Sequence, residues 1–204
     1  MVVEKTKGRY KIVCQDSLEY MRGLGSDSVD SIITDPPYVG FGFTHENYFS
    51  FMQSFAKEMV RCSCNERIAI SQPQPRLGQL SQMFGTSTVI QIPNAFEDER
   101  GENAFFLLKN AYKERKVEPE GWSDFAKSSH PNPRNVNKMA VLVKLMSNPG
   151  DTILDPFCGS GAIGLAAVLL NRDYIGVELS AERAEDARIR FRTLGAVEMI
   201  DKLS

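Results

Sequence analysis

The sequence predicts an α/β fold: a mostly parallel central sheet with helices on both faces. Three observations point there. Short apolar, β-branched runs alternate with amphipathic stretches along the chain, the pattern of repeated strand–helix units. Residues 29–34, VDSIIT, are almost continuously apolar, as expected of a strand buried on both faces of a parallel sheet. A glycine-rich turn, Gly159-Ser160-Gly161, stands between a strand-like run and a helix of small residues.

Strands are predicted at 10–14, 29–34, 67–71, 88–93, 104–109, 152–154 and 174–177. The first is followed by a helix over 17–24, capped near Asp16. The second runs into Asp35-Pro36-Pro37-Tyr38, where two consecutive prolines forbid both helix and central strand. Gly40-Phe41-Gly42-Phe43 then reads as a loop. A helix over 47–61 places Phe51, Phe55, Met59 and Val60 on one side. An acidic turn at 97–101 separates the fourth and fifth strands, and 111–129 is polar and irregular around Trp122. The helix over 136–147 ends at Asn148-Pro149-Gly150-Asp151. Helices over 162–170 and 180–194 follow, the second opened by Ser180 as N-cap.

A chain of 204 residues suits a single domain over 1–204. No apolar run approaches the roughly 20 residues that span a bilayer. The first residues, Met1-Val2-Val3-Glu4-Lys5, show no export signal, so a cytoplasmic location is expected. Among Cys14, Cys62, Cys64 and Cys158, Cys62-Ser63-Cys64 lacks a second pair at zinc spacing, and the histidines are His45 and His130. No metal site is expected; reduced thiols are the reading. The formal net charge of -2 counts mildly against nucleic acid, although a local basic stripe can bind phosphates on an acidic chain.

Two segments carry chemistry. In the first, Asp155-Pro156-Phe157-Cys158-Gly159-Ser160-Gly161, the glycines let backbone approach a ligand, and the following helix N-terminus favours a ligand carboxylate. One strand later, Glu178 is placed to accept bonds from two ribose hydroxyls. The plainer reading is a tight turn with close helix packing. The turn lacks the terminal Gly-Lys-Ser/Thr of a phosphate loop. Cys158 has no histidine near it in sequence to make it a nucleophile.

The second segment is Asp35-Pro36-Pro37-Tyr38. An aromatic amine is a poor nucleophile because its lone pair is delocalised into the ring. A carboxylate on Asp35 and the backbone carbonyl of Pro36, aimed at its two N–H bonds, stabilise the charge that develops as the nitrogen attacks a methyl group. Pro37 helps fix that carbonyl. Tyr38 can stack on a base taken out of the duplex. The plainer reading is a Pro-rich turn at a strand end.

Together these segments resemble the S-adenosylmethionine-dependent amino-methyltransferases of DNA, in their permuted β group, where the catalytic motif precedes the cofactor motif. Here Asp35–Tyr38 precedes Asp155–Gly161 in that same order. Cys14-Gln15-Asp16-Ser17-Leu18 resembles the family's Gly-Asp-Ser segment, whose Asp meets the cofactor adenine; Gln15 stands where Gly is usual. His130-Pro131-Asn132-Pro133-Arg134-Asn135 is similar to the family's His-Pro-Thr-x-Lys-Pro, with Arg134 in place of Lys and Asn135 in place of Pro. The resemblance spans roughly residues 10–109 and 130–193. It implies a circularly permuted, Rossmann-like methyltransferase fold in which the strand at 10–14 takes the place following the helix 180–194, and the chain ends fall close together. It implies S-adenosylmethionine as cofactor, held by Asp16, Asn132, Arg134, Asp155, Phe157, Cys158, Gly159, Ser160, Gly161 and Glu178. Asp35, Pro36, Pro37 and Tyr38 are the implied catalytic residues. DNA is the implied partner and adenine N6 the implied acceptor, because an initial Asp leans to adenine and an initial Ser to cytosine.

A large target-recognition region is missing; only about 20 residues, 110–129, stand where one belongs, too few for a separate module. There, Lys109, Lys113, Arg115 and Lys116 read either as a phosphate-contacting arm or as part of a solvated loop, offset by Glu114, Glu118, Glu120 and Asp124. Phe41, Phe43, Tyr48 and Phe49 read as core or as a lid, with the lid favoured for 40–43. So short a segment as 110–129 implies either a short recognition site or a second subunit that adds contacts; a homodimer is the favoured form of the latter, with the Phe-rich helix 47–61 as one possible interface. Cytosine N4 methylation, RNA adenine methylation (where a Trp is usual at Tyr38) and a non-enzymatic binding subunit are the competing readings.

Overall fold

The computed structural model describes residues 8–37, 44–71, 77–86, 88–94, 104–112, 115–122, 128 and 133–200. Its strands are β1 (Arg9–Cys14), β2 (Ser31–Thr34), β3 (Ile68–Ser71), β4 (Thr88–Ile92), β5 (Ala104–Lys109), β6 (Thr152–Asp155), β7 (Asp173–Glu178) and β8 (Val197–Glu198). The helices are α1 (Ser17–Gly23), α2 (His45–Cys62), α3 (Leu77–Phe84), α4 (Val136–Met146), α5 (Ala162–Leu169) and α6 (Ala181–Leu194).

One sheet contains all of these strands in the order β4-β5-β3-β2-β6-β7-β1-β8, and β5 runs antiparallel to both of its neighbours. The remaining pairings are parallel. The apolar runs divide between the two faces with the strand period of two. Ile33, Ala69 and Ile153 face α4, α5 and α6, where Met139, Val143, Leu165, Ala187 and Phe191 are buried. Ile32, Ile68, Ile70 and Leu154 face α1, α2 and α3, where Met21, Met52, Phe55, Met59 and Leu80 are buried. A strand such as β2 is therefore buried on both sides, which is why it reads as a continuous apolar run.

The predicted permutation is visible in the pairing. Strand β1 lies beside β7 in parallel, Tyr10 opposite Tyr174 and Cys14 opposite Glu178. Beyond it, β8 pairs with Arg9 and Tyr10, so residues 9 and 197 are neighbours in the sheet.

Several helix ends follow the sequence signals. Asp16 caps α1 by accepting from the N–H of Glu19, and Ser180 caps α6 by accepting from Arg183. Three elements went unpredicted: α3, the two-residue β8 and a 3-10 turn at Cys64–Glu66. On α2, Tyr48, Met52, Phe55 and Met59 pack into the core, leaving Phe49 as the large apolar side chain exposed on that helix among the described residues. Its aromatic face is largely turned inward, so a contact through α2 would use Phe49 and the polar side of the helix. Tyr48 is core rather than lid; Phe41, Phe43 and the rest of the 40–43 loop lie outside the described residues.

Candidate active site

The parallel strands β2, β6, β7 and β1 are adjacent, and their carboxyl ends carry the acidic residues of the candidate site. Asp35 follows β2, Asp155 ends β6, Glu178 ends β7, and Asp16 lies just past β1. From β6 the chain crosses to β7 on one side, whereas β2 lies on the other; open α/β sheets bind ligands at such a reversal. A cleft there is lined by Asp35, Arg134, Asp155, Phe157, Cys158, Gly159, Ser160, Ala162 and Ile163.

The glycine-rich turn is held from several directions. Gly161, at φ 77°, is the N-cap of α5 in left-handed backbone, and a Cβ there would stand 2.9 Å from the ring of Phe191. No side chain caps α5, so its first N–H groups face the cleft end of the helix. Glu178 grips the turn from the next strand: its Oε2 accepts from the N–H of Gly159 at 3.0 Å and its Oε1 from Ser180 at 2.9 Å. Each carboxylate oxygen keeps a second lone pair for a ligand hydroxyl. From beneath, the fully buried Arg190 of α6 donates to the carbonyl and hydroxyl of Ser160 at 3.0 and 3.1 Å. Phe157 packs against Phe51 and Phe55, with ring centroids 5.9 and 4.8 Å away, so α2 braces the same turn.

Asp155 is buried at the centre of this arrangement. Its Oδ1 accepts from Thr34 Oγ1 at 2.7 Å and from the N–H of Phe157 at 3.1 Å, while Oδ2 accepts from Tyr174 at 3.1 Å. Burial pushes its carboxyl up to about 7, against the pull of these donors; the nearby Asp35 adds to the rise. The structure thus uses both oxygens of Asp155 to tie β2, β7 and the turn together. Burial likewise holds the Cys158 thiol well above its ordinary range, with Asp155 and Glu178 adding to the effect. That keeps Cys158 a neutral thiol and removes the nucleophile reading.

Asp35 itself is held by Arg134. The Nε of Arg134 donates to Oδ2 of Asp35 at 2.6 Å, and its Nη2 reaches Ser71 Oγ at 3.3 Å. Ser71 ends β3, so Arg134 spans the ends of β2 and β3 just before α4 begins. Pro36 is buried and Pro37 half-buried beside it. Asp16 stands at the far edge, where it caps α1, and the hydroxyl of Ser17 donates to the carbonyl of Pro156. Tyr38 and Asn132 lie outside the described residues, as do His130, Lys113, Glu114 and Asp124. The sequence reading missed Thr34, Ser71, Tyr174 and Arg190, none of which carries a motif signal.

Two described cations of the segment read as a recognition arm, Lys109 and Arg115, lie away from Asp35. Lys109 pairs in register with Ile68, the first residue of β3, so it sits at the pole opposite Asp35. Its ammonium is engaged by Glu66 at 2.8 Å and by the carbonyl of Phe84 at 2.7 Å. Arg115 lies over the ring of Tyr112 and donates to the carbonyls of Lys144 and Ser147, at 2.5 and 2.6 Å, at the end of α4. From there 115–122 runs back along α4, with Glu120 bonded to the Asn137 carbonyl and Trp122 to its side chain.

The N6_N4_Mtase family, described as DNA methylase, matches residues 79–188. The chain belongs to this family. The family match includes the glycine-rich turn and Glu178, whereas Asp35 lies before it. Among its relatives, the type II methyltransferase M.EcaI of Enterobacter cloacae is 40% identical over 78 residues, which cover 34% of this chain and 17% of that protein. Over a longer stretch, the putative methylase YubD of Escherichia coli K12 is 25% identical over 190 residues, covering 80% of this chain and 82% of that one. In fold, the chain is similar to the M1.HpyAVI–SAM complex, with a TM-score of 0.69 at 24% identity, covering 89% of this chain and 98% of that one. The architecture is that of a Rossmann-like methyltransferase. No described helix is long and apolar enough to cross a membrane.

Proposed function

We propose that this chain transfers the methyl group of S-adenosylmethionine to the exocyclic amino group of a base flipped out of DNA, with adenine N6 as the acceptor. One observation carries the reading: Asp35 and the glycine-rich turn line the same cleft, with Glu178 anchoring that turn at the end of β7. The residues present suit the cofactor. Glu178 offers acceptors for ribose hydroxyls, the α5 N-terminus suits a carboxylate, and Phe157, Ala162 and Ile163 give the cleft apolar surface.

When bound, S-adenosylmethionine supplies an electrophilic methyl group on a sulfonium. The chain's own work is on the amine. The Asp35 carboxylate and the Pro36 carbonyl accept hydrogen bonds from its two N–H groups and stabilise positive charge as the N–C bond forms and the sulfur–methyl bond breaks, the sulfonium leaving as a neutral thioether. The amine then loses one proton to solvent. Neutral Cys158 takes no part, and Asp155 holds the cleft in shape.

Asp35 as the first residue of the tetrapeptide supports adenine over cytosine, whose N4 amine the same acceptor pair would also serve. With 115–122 laid along α4, the described residues of that segment offer few groups for reading base edges, each worth about 1–3 kcal/mol of discrimination. This supports a short recognition sequence or a homodimer, and light scattering distinguishes the two. The test of function is incubation of purified protein with methyl-labelled cofactor and unmethylated DNA, followed by hydrolysis and mass spectrometry of the nucleosides. N6-methyldeoxyadenosine is the expected product. N4-methyldeoxycytidine would move the acceptor to cytosine, and labelling of RNA alone would overturn the DNA assignment.

A further inference from the structure

We propose that Arg134 is the positioning residue of the catalytic carboxylate: it fixes the direction of Asp35 and keeps it anionic while the target amine is methylated. The proposal rests on the functional reading above and adds a role that the family resemblance does not give, since there Arg134 stands in the place of a cofactor-binding lysine.

The geometry is specific to a guanidinium. From one planar group, Nε reaches Oδ2 of Asp35 at 2.6 Å and Nη2 reaches Ser71 Oγ at 3.3 Å. A lysine ammonium is a point charge and does not present two fixed donors in one plane. Because Ser71 ends β3 and Asp35 follows β2, the two contacts lock the carboxylate to the sheet rather than to a loop. Only 9% of the Arg134 side chain and 22% of the Asp35 side chain are exposed. Such a pair costs desolvation and is weak evidence for stability alone. Its position in the ligand cleft gives it another use.

The charges around Asp35 strengthen the argument. Asp155 ends the neighbouring strand β6, is buried, and interacts electrostatically with Asp35. Two carboxyl groups therefore share one cleft, and Arg134 is the cation among the described residues that line it. Without it, Asp35 loses a charged partner while still facing Asp155 in a part-buried cleft, and both changes favour its protonated form. A protonated Asp35 accepts less well from an amine and offers a donor in the wrong place. Arg134 thus sets both requirements of the acceptor, direction and charge.

The experiment compares wild type, Arg134→Met and Arg134→Lys by two readouts. The first follows the Asp35 carboxyl carbon by NMR across pH, assigned with Asp35→Asn, and needs no activity. The expected result is a midpoint higher in Arg134→Met by roughly one pH unit or more, with Arg134→Lys between it and wild type. The second measures kcat, its pH profile and cofactor Kd. In Arg134→Met, kcat falls on the order of 100-fold and its acid limb moves to higher pH, while cofactor Kd changes by less than about threefold. Arg134→Lys recovers part of kcat. Equal Asp35 midpoints in all three proteins would overturn the proposal. So would a loss confined to cofactor Kd with kcat intact, which makes Arg134 a cofactor clamp. If the wild type transfers no methyl group, the functional reading fails, and the NMR titration still decides the Arg134–Asp35 pair.

Discussion

The main-chain N–H of Gly159 donates to Oε2 of Glu178 at 3.0 Å, so the acidic end of β7 and the glycine-rich turn after β6 are one hydrogen-bonded unit. Replacing Glu178 by Ala removes the acceptors proposed for the ribose hydroxyls and also the bond that holds the turn. S-adenosylmethionine binding is expected to weaken by about 1–3 kcal/mol, read by titration calorimetry. Unchanged affinity would mean that the ribose is held by other groups.

Asp35→Ala is expected to abolish detectable methyl transfer, a loss on the order of 100-fold or more, while cofactor affinity stays within a few fold of wild type. Single-turnover assays with saturating cofactor read the first quantity and calorimetry the second. Substantial turnover of the variant on a verified substrate would remove Asp35 from the chemistry.

Asp155 makes stability depend on pH. Its folded carboxyl titrates at about 7, above the ordinary value of 3.8, so the folded protein binds the proton more tightly than the unfolded chain does. The linkage sign is then negative: this group's contribution falls as pH rises from about 4 to 7 and is level above. Asp155→Asn removes that contribution. The difference in Tm, variant minus wild type, should grow across that interval and then stay constant. A difference that is flat from pH 4 to 7 would show that the three donors keep Asp155 ionised throughout.

Gly161→Ala combines left-handed backbone with a Cβ placed 2.9 Å from the Phe191 ring. The expected cost is about 1–3 kcal/mol in chemical denaturation, with cofactor binding weakened in parallel because the α5 N-terminus shifts. Wild-type stability would mean that Phe191 and the turn adapt freely.

Lys109→Met and Arg115→Met should lower Tm and leave DNA binding untouched, since both cations are engaged far from Asp35. The salt dependence of DNA affinity tests this: the slope shrinks by about one for every phosphate that a variant no longer neutralises. A reduced slope in either variant would restore the reading of this segment as a phosphate-contacting arm.

The sheet was largely legible because its strands are buried on both faces and so appear as apolar runs, as in Ile32, Ile33 and Ile68 to Ile70. Helix α3 was missed although Leu80, Met83 and Phe84 follow helical spacing; its Gly, Gln and Ser residues dilute the signal. Strand β8 is too short to carry a period. In the site, Asp35, the glycine-rich turn and Glu178 were readable because each is a local motif. The Arg134–Asp35 pair joins residues 99 positions apart, and Arg190 reaches Ser160 across 30; no local spacing encodes either pairing. Lys109 and Arg115 looked available for phosphate because sequence shows a charge but not the carbonyls that already hold it.

The strand order has a consequence for how the chain comes together. Strands β1 and β2 are consecutive in sequence, yet β6 and β7 stand between them in the sheet. Among the described strands, those that close the centre of the sheet both come from the carboxyl-terminal part of the chain. Thr34 finds its partner Asp155 only after 121 further positions have been made. Long-range parallel pairing of this kind is slow. Residues 152–178 thus act as a keystone: the cleft, lined from β2 on one side and the glycine-rich turn on the other, exists only with that strand–helix–strand unit in place.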